Sequence, residues 1–345
     1  MARRRPAATT VDTTVALGPI QLPNPVVAAS GTFGHGAELA DLCDPAALGA
    51  VTVKSQAAFD WPGNPPPRLL PTVGGMLNAV GLQGRGVAHW LEHDLEPLLA
   101  RGARVIGSIW GHSVEDYTDA ARLVAPYGAR LTALEVNLSC PNQRAGETIF
   151  AHDARLTAEV VAAVVATVGD LPVLAKLSGG VADLVAISDA AVSAGATGLT
   201  LINTVRAFAV DATARRPVLG SGGGGLSGMA IKPIALRAVH DVHTELPEVP
   251  IIGTGGIASG IDAAEMMLAG ASAVGVGTAT FAEPRATLRI LAELEHWCRR
   301  EGVTTMRSLT GGLEPVPEAM TAEAMTAEAM TADSTTADST TGSTA

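Results

Sequence analysis

Leu-Thr-Ala-Leu-Glu-Val-Asn-Leu-Ser-Cys-Pro-Asn, at residues 131–142, is the stretch that decides the fold prediction. Its first six residues form a short, largely apolar run, which predicts a buried strand that stops at Asn137. The loop that follows places Cys140 between two amide side chains, Asn137 and Asn142. A thiol can transfer a proton, and amides both donate and accept hydrogen bonds. We therefore expect other strands to end in polar residues that serve the same site.

Short apolar runs recur along the chain and alternate with predicted helices. The runs lie at residues 25–29, 50–53, 104–109, 172–177, 198–202, 249–252 and 273–276, and the helices are predicted at 89–99, 114–125, 156–168, 181–194, 231–243, 260–269 and 287–299. Continuous apolar runs are typical of parallel strands that are buried on both faces. About eight such units predict an α/β fold, a closed (β/α)8 TIM barrel with an N-terminal hairpin at residues 14–22 and loop insertions at the carboxyl ends of its strands.

A doubly wound open sheet is the alternative α/β fold. Such a sheet usually carries its glycine-rich phosphate motif in the first strand–turn–helix unit. Here the stronger glycine signals come late, at Gly255–Gly256 and Gly277, which favours the barrel. The proline-rich residues 60–78 and the glycine-rich insertion at 205–228 carry no predicted helix or strand.

Three regions differ in composition. Residues 1–12 are predicted to be a disordered N-terminus, and residues 13–312 form the predicted barrel domain. Residues 313–345 contain the repeat Glu-Ala-Met-Thr-Ala, which starts at Glu318, Glu323 and Glu328. A repeat without apolar periodicity cannot bury a core, so we predict a disordered low-complexity tail and assign it no function.

The bulk composition excludes several classes of protein. A net charge of −11 argues against a general nucleic-acid binder. The three cysteines are far apart and odd in number, which fits neither a disulfide framework nor a metal site. No apolar run approaches the length of a membrane span, and the arginines at residues 3–5 lack the apolar region of a secretory signal. We expect a cytoplasmic protein with no metal, membrane or nucleic-acid partner.

The predicted strands end in residues that carry chemistry. In a barrel of this type the carboxyl ends of the strands gather at one rim, where catalytic groups lie. In chain order these residues are Ser30, Lys54, Ser108, Asn137, Lys176, Asn203, Gly255–Gly256 and Gly277–Thr278. Lysine is rare in this chain, and two of its three lysines stand at this rim. The third, Lys232, begins a predicted helix and is expected on a solvated face.

Three features of the rim indicate an anionic, ring-shaped ligand. Loops after the last two strands of such barrels often bind phosphate through backbone N–H groups, and glycine allows the close approach. Lys176 lies in an apolar run, where a buried ammonium needs an anion or an electron-rich ring beside it. Four asparagines could read the N–H and C=O edges of a planar ring, and these are Asn78, Asn137, Asn142 and Asn203.

Cys140 is the candidate proton carrier because it lies in a polar loop beside two amides. Cys43 and Cys298 lack such surroundings in the sequence. We expect these two thiols to be buried and unreactive.

Ten short motifs carry a resemblance to a known family. They are Ala-Ser-Gly-Thr-Phe-Gly at 29–34, Val-Lys-Ser at 53–55, Gly-Asn-Pro-Pro-Pro-Arg at 63–68, Gly-Met-Leu-Asn-Ala-Val-Gly-Leu-Gln at 75–83, Asn-Leu-Ser-Cys-Pro-Asn at 137–142, Ala-Lys-Leu-Ser at 175–178, Ile-Asn-Thr at 202–204, Gly-Leu-Ser-Gly at 225–228, Ile-Gly-Thr-Gly-Gly-Ile at 252–257 and Val-Gly-Thr at 276–278. In this order they resemble the dihydroorotate dehydrogenases, specifically the soluble class 1 enzymes that use a cysteine base. The resemblance extends from about residue 15 to residue 309.

The resemblance implies an FMN enzyme of pyrimidine (UMP) biosynthesis that oxidises (S)-dihydroorotate to orotate. It implies that Cys140 takes the proton from C5 while a hydride passes from C6 to N5 of the flavin. The implied substrate ligands are Lys54, Asn78, Val80, Gly81, Leu82, Asn137, Asn142, Asn203 and Thr204. The implied FMN ligands are Ser30, Lys54, Ser55, Asn137, Lys176, Ile202, Gly228, Gly255, Gly256, Gly277 and Thr278, with Lys176 near the N1–C2=O edge and the last four around the phosphate.

Residues 76–82 are similar to the NAD-linked class 1B form. The catalytic subunit of that form works with a second subunit that carries FAD and a [2Fe-2S] cluster, and it is usually a homodimer. This chain lacks the cysteine set for a cluster, so the resemblance implies such a partner. The chain departs from these relatives at Ser108-Ile109-Trp110-Gly111, where they tend to have Asn-Val-Ala-Gly, so the amide that usually contacts the flavin is replaced.

Three alternatives remain open from the sequence. One is the fumarate-linked class 1 enzyme, and another is a related flavin barrel that reduces a different pyrimidine. A ring without a C6 carboxylate would have less use for Lys54. The third alternative is a barrel without catalysis that serves as an interaction subunit, which the presence of Cys140, Lys54 and Lys176 disfavours.

Overall fold

The fold is that of a computed structural model, which describes residues 10–139 and 150–315. Contacts along the chain separate a unit at Met1–Gly312 from a unit at Leu313–Ala345, and only residues 313–315 of the second unit are described. The predictions for Cys140, Asn142 and the repeats therefore fall outside the described residues. Of the predicted N-terminal segment, Asp12 donates its N–H to the carbonyl of Thr304 at 2.9 Å.

Sixteen strands and nine α-helices lie within the described ranges. The strands are β1 (Val15–Leu17), β2 (Ile20–Leu22), β3 (Val26–Ala28), β4 (Ala50–Thr52), β5 (Leu69–Thr72), β6 (Gly75–Asn78), β7 (Val105–Ile109), β8 (Ala133–Asn137), β9 (Val173–Lys176), β10 (Gly198–Leu201), β11 (Val205–Phe208), β12 (Val210–Asp211), β13 (Arg216–Pro217), β14 (Gly223–Ser227), β15 (Ile251–Thr254) and β16 (Ala273–Val276). The α-helices are α1 (Val87–His93), α2 (Leu95–Ala100), α3 (Val114–Val124), α4 (Ala154–Val168), α5 (Leu184–Ser193), α6 (Lys232–Glu245), α7 (Gly260–Leu268), α8 (Ala279–Ala282) and α9 (Ala286–Glu301). Short 3-10 helices lie at Pro45–Ala47, Ala125–Arg130, Phe150–His152, Met229–Ile231 and Met306–Leu309.

Eight strands form a closed barrel in the order β3, β4, β7, β8, β9, β10, β15 and β16. Each neighbouring pair is parallel, and β16 pairs with β3 to close the ring. This arrangement confirms the predicted (β/α)8 barrel and excludes the open doubly wound sheet. Because all eight strands run the same way, their carboxyl ends meet at one rim.

The outer helices begin at capping residues and pack apolar faces on the barrel. Ser113 caps α3 by accepting the N–H of Asp116, and Asp153 caps α4 in the same way. Such a cap stabilises a helix by about 1 kcal/mol. Helix α4 buries a valine face that includes Val160 and Val164, each of which contributes about 1.5–3 kcal/mol on burial. These contacts fix the strands whose ends form the rim.

The structure differs from the elements assigned from the sequence in two places. The single helix expected at residues 89–99 is two helices, α1 and α2, because the chain turns at Asp94. The stretches to which no strand was assigned form a four-stranded sheet in the order β11, β14, β6 and β5, and a small β12–β13 hairpin. Glycine fills much of β14 and Pro71 lies in β5, so neither strand has the β-branched composition that signals a strand. The predicted hairpin at residues 14–22 is present as β1 and β2.

Candidate active site

A cavity of about 450 Å³ lies at the carboxyl ends of the barrel strands. A volume of this size suits a small-molecule or cofactor site. Every predicted ligand that falls in the described residues lines it: Ser30, Lys54, Ser55, Asn78, Val80, Gly81, Leu82, Asn137, Lys176, Ile202, Asn203, Thr204, Gly228, Gly255, Gly256, Gly277 and Thr278. The fold thus brings these residues together, while Cys140 and Asn142 lie outside the described part of the chain.

Lys54 follows β4 and lies against the loop after β3. Its backbone N–H donates to the carbonyl of Gly34 at 3.1 Å. A Cβ placed on Gly31 would come within 3.3 Å of Lys54 Cδ and 3.8 Å of Nζ, so glycine leaves room for the lysine side chain. Ser30 of the same loop donates to the carbonyl of Val53 at 2.8 Å. These contacts hold an ammonium group at the cavity wall.

Asn137 is the centre of a hydrogen-bonded set of polar side chains. Its Nδ2 donates to Ser55 Oγ at 3.0 Å, and its Oδ1 accepts from Asn203 Nδ2 at 3.4 Å. Asn203 also donates to Ser139 Oγ at 3.0 Å, and its own Oδ1 accepts the N–H of Thr204 at 2.8 Å. Asn137 and Asn203, two of the four amides that were predicted to read a ring, are therefore held in fixed orientations.

Lys176 is the last residue of β9 and is only 5% exposed. Its Nζ lies 3.6 Å from Oε1 of Glu135 in the middle of β8, a carboxylate that is 1% exposed. Thr200 Oγ1 donates to Glu135 Oε2 at 3.0 Å, and Ser108 Oγ donates to Oε1 at 3.3 Å. A buried charge needs such partners, so this pair and its two hydroxyl groups explain how a lysine is tolerated inside the barrel.

The two late glycine turns form another wall of the cavity. Gly255 and Gly256 follow β15 with φ values of +133° and +72°. A Cβ on Gly256 would lie 2.3 Å from the Cβ of Lys232, so this position requires glycine. Among the described residues, the N–H groups of Gly255, Gly256 and Gly277 donate to no backbone carbonyl. These donors are available to an anion at the wall, and their assignment to a phosphate stays a prediction.

Lys232 supports this glycine turn from behind. Its Nζ lies 2.5 Å from Asp262 Oδ1 and also pairs with Glu265, so α6 is joined to α7. Burial opposes the charge on Lys232, but hydrogen bonds to Asp262 and Glu265 outweigh it and raise its pKa. The expectation of a solvated face was wrong, because the lysine side chain is mostly buried in this ion-pair cluster.

The four-stranded sheet supplies the remaining side of the cavity. Asn78 at the end of β6 donates to the carbonyl of Gly225 in β14 at 3.3 Å. Gly228 has a φ of +90°, and a Cβ there would lie 2.6 Å from Gly75 Cα, so the backbones of these two segments are in close contact.

The turn at Gly81 and Leu82 also lines the cavity. Leu82 has a φ of +61°, which is unfavourable for a leucine. Trp61 Nε1 donates to the carbonyl of Gly81 at 2.9 Å and helps to hold that turn.

The segment that departs from the family pattern lies behind the cavity. Ser108 is buried, and its Oγ lies 2.9 Å from Ser55 Oγ as well as near Glu135. Trp110 packs edge-on against Phe59 and Trp61, in an aromatic cluster that also includes His112. Neither Ser108 nor Trp110 lines the cavity. The tryptophan therefore fills space outside the site rather than blocking it.

Two of the three thiols have the buried surroundings that were expected. Cys43 and Cys298 are fully buried. Burial raises the pKa of Cys43, and it raises the pKa of Cys298 to about 11. Both groups are protonated at neutral pH, which makes them poor nucleophiles and bases. Within the described ranges, no group of three or more His, Cys, Asp or Glu residues is placed to hold a metal ion, and no helix is long and apolar enough to cross a bilayer.

The prediction from sequence missed several residues of the site. Glu135 was not singled out, although an acid inside an apolar strand signals a buried carboxylate that needs a partner. Thr254 lines the cavity, and its buried Oγ1 has no hydrogen-bond partner in the described part of the chain. Met76, Met229 and Phe281 also line the cavity, and a single apolar residue in a loop gives no signal of this kind.

Comparison with known proteins identifies the family. The profile of the family described as dihydroorotate dehydrogenase matches residues 13–298. Dihydroorotate dehydrogenase B (NAD(+)), catalytic subunit, of Alkaliphilus metalliredigens is 43% identical over 305 residues, which cover 88% of this chain and 100% of that protein. The subunit with the same name in Desulforamulus reducens is 45% identical over 298 residues, or 86% of this chain and 97% of that protein.

A third relative carries a different name. A protein of Solibacter usitatus, provisionally named dihydroorotate dehydrogenase A (fumarate), is 45% identical over 295 residues, which cover 86% of this chain and 96% of that protein. The resemblance drawn from the sequence is confirmed by the family match and by the relatives named as the NAD(+) catalytic subunit. Taken with the barrel and its rim of lysines, amides and glycine turns, these matches show that the chain belongs to the dihydroorotate dehydrogenase family of oxidoreductases.

Proposed function

We propose that this chain oxidises (S)-dihydroorotate to orotate with FMN, as a cytoplasmic enzyme of pyrimidine biosynthesis. One observation carries the proposal: two lysines, a fixed set of amides and two glycine turns line a single cavity of about 450 Å³. The family match and the relatives' names support the reaction. The FMN-binding unit would be the barrel at residues 13–312.

The donor set of the cavity fits FMN. A phosphate would be bound by the N–H groups of Gly255, Gly256 and Gly277 and by the hydroxyl of Thr278. These groups are hydrogen-bond donors on two loops whose glycines allow the backbone to come close to the ligand. Lys176 suits the edge of a ring that becomes negatively charged on reduction, since it is a buried cation at the cavity wall. When bound, FMN would supply the acceptor, at N5, for the hydride that leaves C6 of the substrate.

The remaining residues would bind and orient dihydroorotate. Lys54 would pair with the C6 carboxylate, which is the feature that separates this substrate from uracil-like rings. Asn78, Asn137 and Asn203 would contact the ring's N–H and C=O groups, with Asn142 as a further predicted ligand outside the described residues. The hydrogen bonds around Asn137 hold its amide in place before the substrate arrives. Cys140 would remove the proton from C5 as general base.

The electrons would pass to NAD through a partner subunit that carries FAD and a [2Fe-2S] cluster, with a homodimer of this chain as the core. The relatives named as NAD(+) catalytic subunits and the similarity at residues 76–82 support this assignment. The fumarate-linked reaction is the alternative, because the Solibacter usitatus protein is equally similar. Turnover of the purified lone chain with fumarate, without a partner, would overturn the assignment to NAD.

Anaerobic flavin reduction tests the main proposal. The purified chain should be yellow, and dihydroorotate added without oxygen should bleach the flavin absorbance. Dihydrouracil is the matched control because it lacks the carboxylate, and it should bleach the flavin far more slowly. A colourless chain that does not take up FMN would overturn the proposal. Faster bleaching by dihydrouracil than by dihydroorotate would instead favour a barrel that acts on another pyrimidine.

Cys140→Ala tests the assigned base. This variant should still bind FMN but bleach about 10²–10⁴-fold more slowly, since it lacks the group that removes the C5 proton. Cys298→Ala is the matched control because that thiol is buried and has a raised pKa. Unchanged bleaching by Cys140→Ala would remove Cys140 from the mechanism.

A further inference from the structure

Glu135 is a buried carboxylate that the reaction above does not use. It is 1% exposed, and three side chains from three different strands surround it: Lys176 on β9, Ser108 on β7 and Thr200 on β10. Glu135 does not line the cavity, whereas Lys176 does. The carboxylate therefore stands behind the lysine, on the side away from the ligand.

The distances within this group are unequal. Thr200 Oγ1 lies 3.0 Å from Glu135 Oε2, which is a normal hydrogen bond. Lys176 Nζ lies 3.6 Å from Oε1, longer than the 2.7–2.9 Å of a charge-assisted hydrogen bond. Ser108 Oγ donates to the same oxygen, Oε1, at 3.3 Å. The ammonium is therefore paired by charge but is not tightly bound, so it keeps donors for a ligand in the cavity.

We infer that Glu135 is a positioning residue that sets how much positive charge Lys176 presents to the bound flavin. The inference rests on the proposed function, because it needs FMN in this cavity. A carboxylate behind the lysine offsets part of its field at the flavin ring and so disfavours the reduced, negatively charged form. Glu135 thereby lowers the reduction potential of the flavin. A low potential suits delivery of electrons to an acceptor at the level of NAD.

Sulfite affinity and reduction potential measure this effect without turnover. Sulfite adds to oxidised flavin and leaves negative charge on the ring, so its affinity follows the cationic field there. Glu135→Gln keeps the size of the side chain and an oxygen that can accept from Thr200 or Ser108, but it removes the charge. We expect the sulfite dissociation constant to fall about tenfold and the two-electron potential to rise by the equivalent ~30 mV. An unchanged affinity and potential in a yellow, folded variant would overturn the inference.

Two controls separate this role from a structural one. Thr200→Val removes a hydrogen bond to Glu135 but leaves the charge in place, so sulfite affinity should change much less. Glu159→Gln neutralises an exposed carboxylate that pairs with Arg155 at 3.4 Å on α4, and it should change nothing. If Glu135 acts mainly through its pairing with Lys176, Glu135→Gln should change sulfite affinity much less in a Lys176→Met background than in the wild type. An effect of the same size in both backgrounds would overturn the inference.

Ser108→Ala supplies a second variant with an effect of opposite sign. Ser108 and Lys176 share Oε1 of Glu135, so loss of the hydroxyl leaves this oxygen more available to the lysine. Sulfite should then bind more weakly than to the wild type, and tighter binding would contradict the inference even if Glu135→Gln failed to fold. A chain that takes up no FMN would overturn the proposed function and this inference together. A yellow chain that dihydroorotate bleaches, but whose variants leave sulfite binding unchanged, would overturn the inference alone.

Discussion

Lys176 and Lys232 are paired in opposite ways. Lys232 joins α6 to α7 through two carboxylates, with Asp262 at 2.5 Å, and it does not line the cavity. Lys176 has one carboxylate at 3.6 Å, is more deeply buried and lines the cavity. Two carboxylates hold the ammonium of Lys232, so this group serves to join the two helices. A loosely paired ammonium such as that of Lys176 keeps N–H donors that a ligand in the cavity could accept.

The largest expected difference between the two lysines is in stability. Lys176→Met leaves Glu135 buried without its counter-charge, which should lower the free energy of unfolding by about 3–5 kcal/mol. Lys232→Met should lower it less, by about 1–3 kcal/mol, because the buried Asp262 keeps its hydrogen bonds from Ser259 and the N–H of Ala258, and water can reach the half-buried Glu265. Denaturant unfolding of the flavin-free proteins measures both changes. Equal losses would show that the two pairs do not differ in the way described.

A double variant sharpens this result. Lys176→Met combined with Glu135→Gln removes both charges, so most of the lost stability should return. If the double variant is as unstable as Lys176→Met, the loss arises from packing of the lysine chain rather than from the unpaired carboxylate.

The second difference is in the reaction. Lys176→Met should slow anaerobic bleaching by dihydroorotate about 10²–10³-fold, the scale for loss of one group that stabilises developing charge. Asp262→Asn breaks the other ion pair outside the cavity and should leave the bleaching rate unchanged. Stopped-flow absorbance on flavin-loaded proteins measures both rates. A slow Asp262→Asn variant with full flavin occupancy would contradict the division between a structural and a functional pair.

The barrel itself could be predicted because its strands are continuous apolar runs that end at polar residues or glycines. Asn137 and Lys176 mark the ends of β8 and β9 in the sequence as they do in the fold. Side chains that act at strand ends are visible in a sequence because the pattern changes there. The convergence of seventeen predicted ligands on one cavity follows from this rule and from the common direction of the strands.

What could not be predicted depends on contacts between distant segments. Glu135 lies inside a strand, and its partners on β7 and β10 become neighbours only when the barrel closes. Strand β14 is held by pairing with β6 and β11 rather than by its glycine-rich sequence. Lys232 was assigned to a solvated face because its carboxylate partners lie about thirty residues further along the chain, on another helix.

A third prediction concerns the turn that Lys232 supports. Gly256→Ala places a Cβ 2.3 Å from the Cβ of Lys232 at a φ of +72°, so the turn must shift. FMN affinity should fall about tenfold or more, since displacement of such a turn costs about 1–3 kcal/mol. Gly169→Ala is the matched control, because its φ is +63° but nothing lies within 4 Å of the added carbon. Fluorescence titration measures the FMN affinity of both variants. Equal affinities would show that this turn does not bind the FMN phosphate.

The smallest expected effect is in the acid dependence of stability. Burial alone would raise the pKa of Asp262, but hydrogen bonds from Lys232, Ser259 and the N–H of Ala258 outweigh it and hold the pKa below its ordinary value of 3.8. Because the folded-state pKa is depressed, the carboxylate stabilises the protein above pH 3.8, and this stability is lost as the pH falls through the folded-state value. The wild type should therefore lose more stability than Asp262→Asn between pH 5 and pH 3. Glu38 and Glu293 also have lowered pKa values, but they are present in both proteins, so the difference between the two curves isolates Asp262. If the free energy of unfolding fell equally with pH in both proteins, the charge on Asp262 would not contribute to stability. The close Lys232–Asp262 pair would then add nothing to the stability of the folded protein.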